Sequence, residues 1–78
     1  MAEACSKCRE LMDLASLATV RHMRALTRLE LARLRAENDL IPALEIAVGE
    51  SCRARVKAEA AYQTHLNGHQ ASQAGGAA

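Results

Sequence analysis

Four residues of this chain are of the right types to hold a metal ion together. Cys5 and Cys8 form a CxxC pair near the start, and His65 and His69 form an HxxxH pair near the end. Thiolates and imidazoles are zinc ligands, and two of each complete a tetrahedral set. At a helix start, two cysteines three apart share one face, and the helix N-terminus favours the thiolate that a metal binds. Two histidines four apart share a face if one helix carries both. The spacing between the pairs matches no standard zinc finger, so they form one site only if the fold brings the chain ends together. The competing reading has CxxC as a frayed helix start and His65 as a cation favoured at a helix C-terminus. Against the site stands Asn67-Gly68, a helix-stop signal that would carry His69 away from the turn above His65.

Other chemistries find little to work with. A thioredoxin-like redox pair needs strands around its CxxC, and a c-type haem site needs His where Arg9 stands. Nothing presents a nucleophile on a strand-turn element, so the chain is expected not to be an enzyme.

The elements that must position the four residues are helices. The chain has 78 residues, of which 17 are Ala and 10 Leu, with Tyr62 as its one aromatic and Pro42 as its one proline. Ala and Leu are the strongest helix formers, and the scarcity of Val and Ile leaves little for strands. A first helix is expected over residues 5 to about 37, capped by Ser6 or Cys5, with Ser6 the better cap. Its seam runs Cys8, Leu11, Ala15, Ala18, His22, Ala25, Leu29, Ala32, Ala36, in alternate steps of three and four. A turn is expected at residues 38–42, then a second helix from about 40 to 67, with Asp39 as its N-cap and Pro42 in its first turn. The second seam reads Leu44, Val48, Ser51 or Cys52, Arg55, Ala58, Tyr62 and His65. Residues 70–78, small and polar, are expected to form a disordered tail.

Two long helices joined by a short turn make an antiparallel hairpin, an all-α fold with residues 1–69 as its one domain. Such a hairpin brings residue 8 to the level of about residue 71, and so the Cys pair to the His pair. Leu14, Leu17, Val20, Met23, Leu26, Leu31 and Leu34 lie off the first seam, more apolar surface than one partner helix covers. A homodimer forming a four-helix bundle is therefore expected. No signal peptide or membrane span is read from the sequence, net charge is +1, and three cysteines make no disulfide framework. The expected location is cytoplasmic, where thiols stay reduced.

Two further groups stand out. Arg21, Arg24, Arg28 and Arg35 line one stripe of the first helix and could track a phosphate backbone. The alternative is a solvated face, with Glu45, Glu50 and Glu59 of the second helix as ion-pair partners. No aromatics interleave with the arginines, which argues against base stacking. His22 and Arg55 lie on facing seams, where polar groups either fix register or mark a small-ligand site. Taken together, Cys5-x-x-Cys8, His22, the Asn38-Asp39 turn, Arg55 and His65-x-x-x-His69 resemble a set of short bacterial helical-hairpin proteins. The resemblance covers nearly the whole chain and implies that its Cys and His ends belong together. It implies no activity. The functional expectation is a binding or scaffold protein with a structural zinc site. The alternatives are a nucleic-acid-associated regulator and a metal carrier or sensor.

Overall fold

A computed structural model describes the backbone of residues 5–77 and the side chains of residues 5–69. Two helices make up the fold: α1, Ser6–Leu34, and α2, Ile41–Ala77. They pack against each other along their length, in a body of 60 × 18 × 14 Å. The pairing is antiparallel: Arg33 reaches Glu45 beside the turn, Tyr62 reaches Met12 farther along, and Cys5 reaches His65 at the open end.

The N-cap of α1 is Cys5, not Ser6. Its backbone is extended (φ −71°, ψ 119°), and its Sγ accepts the Cys8 N–H at 3.4 Å. Ser6 is already helical. The thiol therefore takes the position a serine hydroxyl usually takes, satisfying one of the free N–H groups of the first turn.

Three residues before the expected boundary, α1 ends. Arg35 caps it, and Ala36 turns into the left-handed region at φ 57°. The Glu37 N–H then bonds back to the Ala32 carbonyl at 2.8 Å, and the Ala36 N–H to that of Arg33 at 3.1 Å. These two reversed bonds form a Schellman closure, which satisfies the last carbonyls of the helix. It is usually built on glycine; here it is built on alanine. Ala36 consequently leaves the seam and is exposed. The first α-type bond of α2 runs from the Leu44 N–H to the Leu40 carbonyl, so Leu40, not Asp39, sits at the N-cap. Pro42 falls in the first turn, where its missing N–H costs nothing.

At the far end α2 runs through Asn67 and Gly68 instead of stopping, and no described glycine adopts positive φ. Gly and Asn disfavour a helix interior by up to about 1 kcal/mol each, a penalty and not a block. No proline follows, and Ala71 and Ala74 favour continuation. The backbone expected as a tail from residue 70 thus continues the helix to Ala77; Ala78 lies outside the described residues.

The seam of α1 is otherwise the expected one. Leu29, Ala32 and His22 are buried, and Cys8, Leu11, Ala15, Ala18 and Ala25 are half-buried. The core is thin: among the described residues only Leu29 and Ala32 are buried apolar side chains. Leu14, Leu17, Val20, Met23, Leu26, Leu31 and Leu34 are all 40% or more exposed. No described helix is long and apolar enough to cross a membrane.

Candidate metal centre

The helix start and the last turns of α2 meet at the open end of the hairpin. Antiparallel pairing lifts His65 to the level of Cys5, and the unbroken helix through Gly68 places His69 one turn beyond His65 on the same face. Cys5 Sγ lies 3.3 Å from His65 Nε2, and His65 Nε2 lies 3.1 Å from His69 Nε2. The two imidazoles meet edge to face, their centroids 4.7 Å apart. Adding Cys8, one ligand atom from each of the four residues falls within 4.8 Å of all the others.

These separations have the scale of a zinc tetrahedron. With Zn–S near 2.3 Å and Zn–N near 2.0–2.1 Å, the edges are roughly 3.8 Å for S–S, 3.5 Å for S–N and 3.3 Å for N–N. The Cys5–His65 and His65–His69 contacts lie within a few tenths of an ångström of those edges, and the group as a whole spans up to 4.8 Å. The cysteines and His65 are half-buried and His69 is exposed. A depression of about 470 Å³ lined by Thr64, His65, Gly68 and His69 gives access from solvent.

Hydrogen bonding alone serves this cluster poorly. His65 Nε2 carries either one proton or one lone pair, so it cannot form a full bond to both Cys5 Sγ and His69 Nε2. A cation at the centre takes a lone pair from each. The thiols show the same conflict. The Cys5 thiol is lowered from 9.0 to about 6, first by its hydrogen bond to His65 and then by the Cys8 N–H. Cys8 is pushed the other way, first by desolvation and then by its neighbour Cys5. Without a cation the pair therefore favours one thiolate; a divalent ion removes the penalty on the second.

The Cys8 N–H to Sγ contact, and the Thr64 and Gly68 walls of the depression, were not read from the sequence. The first was implicit in the N-cap position of Cys5, which aims a backbone donor at whatever side chain stands there. The walls depended on α2 continuing past residue 67.

The other singled-out residues lie away from this centre. Arg21, Arg24, Arg28 and Arg35 are exposed, and none pairs with a carboxylate among the described residues. The glutamates expected to answer them do not: Glu45 pairs with Arg33 at 3.4 Å and Glu59 with Arg55 at 3.9 Å. His22 is 8% exposed, and its Nδ1 has no hydrogen-bond partner among the described residues. Arg55 Nε is also buried without a hydrogen bond, with only the longer ion pair to Glu59. Cys52 is a free, half-buried thiol.

No protein-family model, no curated protein and no solved structure matches the chain.

Proposed function

We propose that this chain is a small, non-enzymatic helical-hairpin protein that acts through binding or scaffolding, its open end closed by one structural zinc ion on Cys5, Cys8, His65 and His69. The observation that carries the reading is the convergence of four ligand atoms, two from each end of the chain, within 4.8 Å. Four protein ligands fill a tetrahedral zinc and leave no position for substrate or a reacting water, which supports a structural role over a catalytic one. Two thiolates also neutralise the ion's charge. A cytoplasmic setting fits, because free thiols must stay reduced to bind.

Elemental analysis of the purified protein tests it: about one zinc per chain is expected, with a clear rise in melting temperature over the chelated protein. Metal-free protein whose melting is unchanged by added zinc refutes it. Exchange separates the structural role from that of a carrier or sensor. A structural ion resists a weak chelator over hours, whereas a carrier gives it up in minutes.

One observation favours a second reading, a nucleic-acid-associated regulator. The Arg21, Arg24, Arg28 and Arg35 stripe is free of carboxylate partners among the described residues. Binding through it would weaken steeply with salt, and removing Arg24 or Arg28 would flatten the salt slope by about one unit each. No binding to duplex DNA or RNA at low salt leaves the stripe a solvated face.

A further inference from the structure

The two long flanks of the hairpin differ in charge. Side chains one position before the seam form the first flank: Leu14, Leu17 and Arg21 of α1 line a groove there with Ala54, Lys57 and Ala61 of α2. It carries Arg21, Arg24, Arg28, Arg35 and Lys57 against Glu37 and Glu50, besides the Lys7–Glu10 pair. Side chains one position after the seam form the second flank, as the Arg33–Glu45 contact shows. There Arg33 is matched by Glu45 and Glu59 by Arg55, leaving Arg9, Arg53 and Glu30. The second flank is nearly neutral, yet it exposes Met12, Met23, Leu26 and Val56 by 40–55%.

Gly49 lies on this second flank, inside α2. A glycine there costs about 1 kcal/mol relative to alanine. Nothing among the described residues requires it: a Cβ at Gly49 would meet only Arg53 Nη1, at 3.6 Å, an ordinary contact. Glycine in a helix with no internal need fits a surface that another helix approaches closely.

We infer that a second copy of this chain docks on the flank of Met12, Met23, Leu26 and Val56, forming an antiparallel four-helix bundle. A two-fold axis parallel to the hairpin lays α1 of each copy on α2 of the other at the same level. Leu26 of one copy then comes level with Gly49 and Cys52 of the other, and Met23 with Cys52 and Val56. Leu26 and Met23 on α1 thus meet Gly49, Cys52 and Val56 on α2, with Arg53 beside them, in both directions at once, as an isologous interface requires. Over the 29 residues of α1, about 44 Å, a face 18 Å wide offers about 800 Å², the size per partner of a standard stable interface. The arginine flank is disfavoured, because two copies would bring ten cations into one interface against four carboxylates. The inference is independent of the zinc reading, since none of these residues is a ligand.

Light scattering of the full chain at tens of micromolar tests it. The expected mass is twice that of the chain. Leu26→Glu is expected to halve it, and Leu17→Glu, on the arginine flank, to leave it dimeric. Gly49→Leu guards against simple unfolding: it raises intrinsic helix propensity, so a halved mass with full helical circular dichroism marks a lost interface. A wild-type monomer at this concentration overturns the proposal. So does dissociation by Leu17→Glu, or a dimer that survives both Leu26→Glu and Gly49→Leu.

Discussion

Cys5 Sγ and His65 Nε2 stand 3.3 Å apart although 60 residues separate them in the chain. The contact joins the N-cap of one helix to the last turns of the other, at the end of the hairpin that no loop holds. Helix ends fray where tertiary contacts are few, and this core is thin along its whole length. A metal at this position crosslinks the two ends that would open first, and it closes nearly the whole chain into one loop, where a crosslink constrains the unfolded state most.

Cys8→Ser is accordingly expected to abolish stoichiometric zinc binding and to remove the zinc-dependent part of the melting temperature. Metal binding adds directly to folding free energy, by as much as about 10 kcal/mol in small zinc peptides at neutral pH. Calorimetric titration of the apo protein with zinc, wild type beside the variant, measures the difference. Cys52→Ser, outside the ligand set, should bind like wild type.

The thiols of the metal-free protein should titrate apart. Cys5 sits near 6 because His65 and the Cys8 N–H stabilise its thiolate, while Cys8 is raised by desolvation and by Cys5. A folded pKa below the unfolded 9.0 gives Cys5 a stability contribution present above pH 9 and lost as pH falls through about 6. Cys8 has the opposite sign: its contribution is present below 9.0 and lost as pH rises through its higher folded value. Alkylation rates resolved by peptide mass mapping should show Cys5 reacting with a midpoint near pH 6 and Cys8 only at alkaline pH. Equal rates at neutral pH would contradict the assignment.

Periodicity made the hairpin legible. Alternate steps of three and four placed Leu29, Ala32 and His22 on the buried line, and the single proline located the second helix start within a residue or two. The four site residues were legible for the same reason, since antiparallel helices of similar length must bring both ends of the chain together. What the sequence hid were events decided by small energies. Ala36 adopts a left-handed backbone that only glycine advertises, and Asn67-Gly68 has a preference for stopping that the surrounding helix outweighs. Cys5 rather than Ser6 holds the cap, and its thiol also meets His65, a contact no local rule contains.

Gly68 tests that balance. A Cβ there meets nothing within 4 Å, so alanine fits without strain. Gly68→Ala should stabilise the last turns of α2 by about 1 kcal/mol and tighten zinc binding, because the helix that aligns His65 with His69 is less frayed in the apo state. Weaker zinc binding in this variant would mean that the site needs a break at residue 68.

Ala36→Gly should be stabilising for the complementary reason. At φ 57° alanine pays a steric cost of about 1 kcal/mol that glycine escapes, and the Schellman bonds from Ala36 and Glu37 are backbone bonds that survive the change. Urea denaturation should show a gain of up to about 1 kcal/mol, offset in part by the greater freedom of glycine in the unfolded chain.

His22 gives the sharpest stability test away from the metal. It is the one buried polar residue of the described chain, and its Nδ1 meets no partner among the described residues. An unsatisfied buried polar atom costs about 1–3 kcal/mol. Leucine has a similar volume and no polar atoms, and His22 lies between the small seam residues Ala18 and Ala25, so there is room for it to settle. His22→Leu should therefore raise stability by about 1–2 kcal/mol, or roughly 4–8 °C of melting temperature per kcal/mol in a chain this size. A loss of stability instead would show that the imidazole is satisfied in solution, by a ligand or by a group of the second copy, and would mark the His22 and Arg55 level of the seam as a binding position.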